Sequence, residues 1–203
     1  MKRHLSGLRS LALGALTAGI ALAGLPATSS AALLSTNACD NSTLSQPFAQ
    51  WGDNNEYKLV SGGDFEGSLS GWTLTGGAHV VQGGNPNGDG SSALYLPAGA
   101  SVTTPFTCVN AAYPSFRLFA RNDGLLATVV PQVVYKLPLL GNMALPIGAA
   151  ALSPDWNPTL PMLTASVVTG VLNGGTAQVA LRFTAALGPS EVDDIYVDPM
   201  MRR

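Results

Sequence analysis

Two acidic stretches near opposite ends of the chain hold the residues best suited to chemistry. The later one, 191–199, reads E-V-D-D-I-Y-V-D-P, and its Val, Ile and Tyr residues favour a strand that Pro199 ends. Because side chains alternate between the two faces of a strand, Asp193 is predicted to share the core face with Ile195 and Val197. A carboxylate at the edge of a buried layer is costly unless it is paired or bound to a metal. The strand therefore predicts a partner for Asp193 elsewhere in the chain.

The earlier stretch, 62–72, supplies the best candidate partner. It reads G-G-D-F-E-G-S-L-S-G-W, so that Glu66 stands in a short acidic element between glycines. Ca²⁺ takes oxygen ligands, commonly carboxylates and backbone carbonyls. An irregular, glycine-rich backbone can turn its carbonyl groups toward such an ion. The alternative is that these acids only cap turns or face water.

Together the two stretches resemble the paired ends of carbohydrate-binding-module β-sandwiches, the galactose-binding-like jelly rolls. The residues that carry the resemblance are G-D-F-E and G-W in the early stretch and D-D-I-Y-V in the late one, and they span 61–199. The resemblance implies a structural Ca²⁺ that closes the sandwich. Its ligands would be the backbone oxygen of Asp64 and the carboxylates of Glu66 and Asp193, with Asp89 as a further candidate.

A second group of residues is suited to sugars, which proteins hold with aromatic faces and a few planar polar groups. Trp156 stands in the loop S-P-D-W-N-P and is predicted to be exposed, whereas the resemblance assigns Trp72 to the core. Arg121, Gln132 and Tyr135 are predicted on neighbouring strands, where they would line a concave face. Trp156 and these three residues are the predicted ligand-binding set. The alternative is an ordinary solvated sheet face that carries single aromatic residues.

The sequence lacks the parts that catalysis would need. After residue 32 it holds one histidine, His79, and three glutamates, Glu56, Glu66 and Glu191. It has no G-x-S-x-G nucleophile elbow, and the glycine run at 83–90 lacks the lysine and the helix of a phosphate-binding loop. Because Glu66 is already the best calcium candidate, the remaining carboxylates are a poor pair for glycoside hydrolysis. We therefore expect a protein that is not an enzyme.

The first 32 residues have the features of a secretion signal. Lys2, Arg3 and Arg9 precede an apolar run over 11–25, and small residues follow at 29–32. The run is short and interrupted for a membrane span, which leaves an uncleaved anchor as the alternative. Cleavage would leave 171 residues and change the net charge from −2 to −5, without any basic cluster. Nucleic acid and anionic membranes are therefore poor partner candidates.

Two cysteines, Cys39 and Cys108, remain after that cleavage. In an exported protein an even count predicts a disulfide, and two cysteines allow one pairing. The bond would pin a polar arm over 33–56 to the domain, and it would contribute about 4 kcal/mol in the chain-entropy model. Two free thiols are the alternative.

The rest of the chain, 57–203, predicts a single all-β domain. Short segments rich in Val, Thr, Leu and Ala alternate with turn signals, and the chain has 23 glycines, 14 prolines and only 11% charged residues. A β-sandwich follows from this pattern, and the resemblance makes it a single jelly roll of two antiparallel sheets. The segment 137–152 stays open between an edge hairpin, a partly buried loop and, at 149–152, one helical turn.

These observations predict a secreted, extracellular recognition domain that binds a polysaccharide or cell-wall glycan without catalysis. The alternative is a structural or adhesive cell-envelope protein that acts through protein contacts, with a hydrolase as a third class. Carbohydrate-binding modules usually accompany a catalytic domain, and this chain has none, which counts against the sugar interpretation. An exposed aromatic platform would favour recognition. A bare apolar sheet face or an oligomer in solution would favour the envelope protein.

Overall fold

The structure of the chain, a computed structural model, describes residues 43–88, 90–110, 115–137, 141–164 and 176–198. All of them belong to one compact unit, Leu33–Arg203. No helix within these ranges is long and apolar enough to cross a membrane. The signal segment, Cys39 and Asp89 lie outside the described residues, so the secretion signal, the disulfide and the role of Asp89 stay predictions.

The described residues form fourteen β-strands and a short 3-10 helix at Ala49–Trp51. In chain order the strands are β1 (Lys58–Leu59), β2 (Thr73–Thr75), β3 (His79–Gln82), β4 (Ser92–Leu96), β5 (Ser101–Thr103), β6 (Thr107–Asn110), β7 (Ser115–Asn122), β8 (Ala127–Leu137), β9 (Gly141–Pro146), β10 (Ala150–Leu152), β11 (Asn157–Pro158), β12 (Met162–Leu163), β13 (Thr176–Leu187) and β14 (Ser190–Asp198).

The strands form two antiparallel sheets. Sheet I has the order β11-β7-β14-β4-β3, and β1 and β12 pair with β14 and β7. Sheet II has the order β10-β8-β13-β5-β2, and β6 and β9 pair with β13 and β8. The predicted all-β sandwich of two antiparallel sheets is confirmed.

The main core lies between the two sheets, where alternate side chains of each strand point inward. Phe116, Leu118 and Ala120 of β7 belong to it together with Leu181 and Phe183 of β13. The rings of Phe116 and Phe183 lie 5.9 Å apart in an edge-on arrangement. Burying such a side chain contributes about 1.5–3 kcal/mol. Because β7 alternates, its residues between these core positions lie on the outer face of sheet I.

The N-terminal arm packs on that outer face through a second aromatic cluster. Phe48 is fully buried, and its ring centroid lies 5.3 Å from that of Phe119 and 4.9 Å from that of Tyr57. The guanidinium of Arg117 lies 4.2 Å from the Phe48 ring and pairs with Asp53 at 2.6 Å. Although burial raises the pKa of Asp53, hydrogen bonds from Tyr57 and Arg117 outweigh it and lower that pKa overall. Packing and an ion pair therefore hold the arm on sheet I.

Trp72, which the resemblance placed in the core, is half-buried at its edge. Its ring packs against the main core and lies 5.2 Å from that of Phe65. Its indole Nε1 donates a hydrogen bond to the Ser61 carbonyl at 2.9 Å. The ring therefore closes the edge of the core and fixes the turn that precedes it.

The segment that the sequence left open is strand in its described part. β9 pairs with β8 through Tyr135 and Met143, and β10 pairs with the earlier half of β8 through Val129 and Ala150. Both strands lie at the edge of sheet II. The helical turn considered for 149–152 is wrong, because Ala150–Leu152 is a strand that pairs with β8.

Candidate functional site

A bulge in β14 sets the geometry of the acidic residues. Asp194 adopts a left-handed conformation with φ of 48°, and the register with β7 shifts between Asp193 and the residues beyond it. The extra residue lets Val192 and Ile195 both face the core, while Asp193 pairs with Phe119 on the outer face of sheet I. The predicted placement of Asp193 on the face of Ile195 is therefore wrong, because it assumed unbroken alternation. Asp193 is nevertheless only 2% exposed.

The loop over 83–91 covers Asp193. The backbone N–H of Asn85 donates to Asp193 Oδ2 at 2.8 Å, and the Asn85 amide donates to Asp194 Oδ2 at 3.0 Å. The backbone N–H of Asp194 donates to the other oxygen, Asp193 Oδ1, at 2.8 Å. A side chain on Gly88 would collide with the Asp194 carboxylate. The loop therefore needs glycine at this point to approach β14 closely.

Glu66 holds the other end of the same loop. Its Oε1 accepts hydrogen bonds from the backbone N–H groups of Ser91 at 2.7 Å and Ser92 at 2.5 Å, and these bonds lower its pKa. The turn that carries Glu66 is joined to the bulge, since Ile195 N donates to the Gly63 carbonyl at 3.1 Å. The structure thus brings Glu66 and Asp193, the two predicted calcium ligands, to one loop, where both accept hydrogen bonds from its backbone.

Three carboxylates act on one another here, and we call Glu66, Asp193 and Asp194 the acidic cluster. Burial raises the pKa of Asp193 to about 7, and the charges of Asp194 and Glu66 add to the rise, against the hydrogen bonds that Asp193 accepts. Asp64 lies half-buried in the same turn as Glu66, and its Oδ1 accepts a bond from Glu66 N at 3.4 Å. Sequence reasoning named Asp64, Glu66 and Asp193 but missed Asp194 and its neighbour Asn85.

The acidic cluster offers only oxygen atoms to a cation. All of its ligand atoms are oxygens, which Ca²⁺ prefers. The described residues contain no group of three or more His, Cys, Asp or Glu side chains placed to hold a metal by themselves. A Ca²⁺ at this position would therefore draw on backbone oxygens as well, among which that of Asp64 is the predicted one.

Two of the four predicted ligand-binding residues meet on the outer face of sheet I. The prediction that Trp156 is exposed is wrong, because its ring is partly buried and packs against the aromatic cluster of the N-terminal arm. The guanidinium carbon of Arg121 lies 5.2 Å from the ring centroid of Trp156. Arg121 also pairs with Glu191, with Nη2 and Nε at 2.8 and 3.0 Å from Oε2. The Arg121 side chain is 32% exposed and that of Glu191 is 7% exposed, so the cation faces the solvent in front of the anion. Glu191 is a site residue that sequence reasoning missed.

The residues that pair with Glu191 across the sheet extend this group to β4 and β3. Glu191 of β14 pairs with Tyr95 of β4, and Tyr95 pairs with His79 of β3, whose ring lies 5.3 Å from the tyrosine ring. Directly paired residues on adjacent strands share a face, with their Cβ atoms about 4.5–5.5 Å apart. We call Trp156, Arg121, Glu191, Tyr95 and His79 the polar row.

The other two predicted residues lie elsewhere. Tyr135 is 3% exposed, belongs to the main core and donates its hydroxyl hydrogen bond to the Thr164 carbonyl. Gln132 lies on the opposite face of β8, paired with Arg182 in sheet II. The predicted face of Arg121, Gln132 and Tyr135 is therefore wrong. The chain passes from sheet I to sheet II between β7 and β8, and residues 132 and 135 point to opposite faces of β8.

No protein-family model matches this sequence, and no curated protein matches it. The chain is similar in fold to carbohydrate-binding modules. One is the CBM22-2 xylan-binding domain of Paenibacillus barcinonensis Xyn10C, at 11% identity over 68% of this chain and 98% of that one, with a TM-score of 0.48. Another is TmCBM61, solved with β-1,4-galactotriose, at 15% identity over 70% and 98% of the two chains, with a TM-score of 0.46.

A third similar structure is a part of a larger enzyme. It holds the CBM22-1 and GH10 modules of Clostridium thermocellum xylanase 10B with xylohexaose, at 13% identity and a TM-score of 0.49. The match covers 69% of this chain and only 28% of the xylanase chain. These likenesses concern the fold alone.

Proposed function

We propose that the protein is a non-catalytic glycan-binding domain and that its site is centred on Trp156 and the Arg121–Glu191 pair. The observation that carries this proposal is their meeting on one surface, the outer face of sheet I. Sugars are held by aromatic surface beside a few planar polar groups of fixed orientation. The Arg121 guanidinium, which is 32% exposed, can donate to sugar hydroxyl groups, and the buried Glu191 carboxylate behind it holds it in place.

The geometry of the pair fixes the donors before a ligand arrives. Glu191 Oε2 contacts both Nε and Nη2 of Arg121, and these charge-assisted contacts fix the plane of the guanidinium group. The indole of Trp156 lies against the same guanidinium and limits its rotation. A preorganised donor loses less conformational entropy on binding, so a short polar ligand keeps more of its contact energy.

The proposal includes a structural Ca²⁺ at the acidic cluster. Its ligands would be the carboxylates of Glu66 and Asp193 and backbone oxygens, including that of Asp64. When bound, the ion would supply positive charge that offsets three mutually repelling carboxylates. The chain itself ties the loop over 83–91 to β14 and to the Glu66 turn through Asn85, Ser91 and Ser92.

Catalysis is not part of the proposed function. Hydrolysis of a glycosidic bond needs a pair of carboxyl groups in separate roles. Glu191 of the polar row is committed to Arg121. We infer from the signal-like first 32 residues that the protein acts outside the cell, with a polysaccharide or cell-wall glycan as its partner.

A binding assay with matched variants tests the proposal. The secreted protein would be incubated with insoluble xylan, β-1,4-galactan, cellulose and purified cell wall, and the bound fraction measured. We expect retention by at least one of them, lost in Trp156→Ala and Arg121→Ala variants that melt as the parent does. Arg182→Ala is the matched control, because Arg182 lies in sheet II.

Three results would count against it. Retention by none of these materials, with self-association seen by light scattering, would favour the structural envelope protein. Equal losses in the Arg182 and Arg121 variants would show that the outer face of sheet I is not the site. Release of reducing ends from a retained polysaccharide would overturn the non-catalytic assignment.

A further inference from the structure

We infer that the site binds an extended, uncharged glycan that lies across the strands of sheet I. Tyr95 and His79 would contact the end of this glycan that is farthest from Trp156. This inference rests on the proposed function, since it specifies the ligand of the same surface. It adds two contact residues that neither the motifs nor the fold comparisons indicate.

The length of the polar row indicates an extended ligand. Three interstrand spacings separate β7 from β3, and each spacing is about 4.8 Å, so Arg121 and His79 stand roughly 14 Å apart. Trp156 lies beyond Arg121, next to the β11 residue that pairs with β7. A single sugar ring is shorter than this row and would touch only part of it. A chain of several sugars running from strand to strand would touch all of it.

The distal end offers the same kinds of contact as the proximal end. The Tyr95 and His79 rings lie 5.3 Å apart at an angle of 58°. His79 Nδ1 donates a hydrogen bond to the Gly77 carbonyl at 2.8 Å, which orients the ring and leaves Nε2 for a ligand. Leu94 and Leu96 on either side of Tyr95 are fully buried, so the backbone that carries Tyr95 is fixed by the core.

The charges around the row favour an uncharged ligand. Arg121 is paired with Glu191 inside the row, and Arg117 on the same face is buried in an ion pair. Asp155 precedes Trp156, and Asp123 lies two residues after Arg121, both exposed. The acidic cluster also shares β14 with Glu191. An anionic glycan would meet the exposed carboxylates of Asp155 and Asp123 beside the row, and like charges repel at this range.

A length series tests the inference. Binding of xylose to xylohexaose, and of β-1,4-linked galactose oligomers of the same lengths, would be measured by calorimetry on the parent protein and on single variants. We expect affinity to rise with length in at least one series. Tyr95→Ala and His79→Ala should each weaken hexamer binding by about 3- to 10-fold and leave dimer binding unchanged. Trp156→Ala should weaken the binding of both lengths. Phe106→Ala, at an exposed ring outside the strands of the row, should weaken the binding of neither length.

The outcomes separate this inference from the proposed function. If Trp156→Ala weakens binding and the Tyr95 and His79 variants do not, the site stands and its extension is wrong. If affinity does not rise with length, the extended ligand is wrong. If polygalacturonate binds as tightly as the neutral polymers, the uncharged class is wrong. Binding of neither series, together with retention by none of the four insoluble materials, would overturn both proposals.

Discussion

The calcium-free protein is expected to lose stability as the pH rises toward neutrality, because Asp193 is buried among other carboxylates. Burial, and then the charges of Asp194 and Glu66, raise its pKa from 3.8 to about 7. A folded state that binds a proton more tightly than the unfolded chain is destabilised as that proton leaves. The destabilisation is absent below the unfolded pKa of 3.8 and complete above the folded pKa of about 7.

The size of this effect follows from the two pKa values. At 1.36 kcal/mol per pKa unit, the rise to about 7 corresponds to roughly 4 kcal/mol. This is a large part of the roughly 5–15 kcal/mol that stabilises a typical domain. Asp193→Asn removes the charge and keeps an oxygen that can accept the hydrogen bond from Asn85. The metal-free variant should therefore exceed the metal-free parent in stability at pH 8, by up to about 4 kcal/mol.

Urea unfolding of metal-stripped protein, checked by elemental analysis, measures the difference. Parent and Asp193→Asn would be compared at pH 4 and at pH 8, since the difference between them isolates Asp193 from other titrating groups. With calcium added at pH 8 the order should reverse, because only the parent keeps the ligand and gains the binding free energy. Asp155→Asn, at an exposed aspartate, is the control and should follow the parent throughout.

Two results would refute this reasoning. Equal stability of the metal-free parent and the variant at pH 8 would mean that Asp193 carries no electrostatic penalty in the folded protein. If added calcium does not change the stability of the parent protein, and elemental analysis finds no bound calcium, the proposed metal site is wrong whatever the pH dependence shows.

Three further predictions concern stability and covalent structure. Phe48→Ala should lower the free energy of unfolding in urea by about 3–5 kcal/mol, because the ring is fully buried. Phe106→Ala, at a ring that is 39% exposed, should lower it by less than about 1 kcal/mol. Equal losses in the two variants would contradict the packing of the arm on sheet I. Trp72→Ala should fall between these two, since its half-buried ring also loses the hydrogen bond to Ser61. Intact mass after alkylation without reduction should show no modified cysteine if Cys39 and Cys108 are bonded, and two alkylated thiols would exclude the bond.

Sequence reasoning recovered the class of the fold because its signals are local. Alternating apolar residues, as in Phe116, Leu118 and Ala120, require only that a strand have one buried face. The residues N-D-G at 122–124 are a turn signal as well, but nothing local says that the strands on either side of this turn belong to different sheets. Because this change of sheet was unknown, Arg121 and Gln132 were predicted to lie on one face. Arg121 lies in sheet I and Gln132 lies in sheet II.

The candidate sites depended on features that sequence patterns do not show. The pairing of Arg121 with Glu191 follows from the register between β7 and β14, which are 70 residues apart in the chain. The face of Asp193 follows from the bulge at Asp194, a left-handed residue that an unbroken strand pattern conceals. Glu66 was found because its stretch resembles a known motif. Tyr135 was misplaced because an aromatic residue on a strand fits the core and the surface equally well.

One strand, β14, links the two proposed sites. Glu191 and Asp193 lie on the same outer face of sheet I, paired with Arg121 and Phe119 of β7, and two residues of strand span about 7 Å. Glu191 positions the cation of the polar row, while Asp193 holds the loop over 83–91. A metal at the acidic cluster would therefore act on recognition through the backbone of β14 and the position of this loop, without touching the sugar. The three carboxylates of E-V-D-D fit this division, since Glu191 pairs with Arg121 whereas Asp193 and Asp194 both accept hydrogen bonds from Asn85.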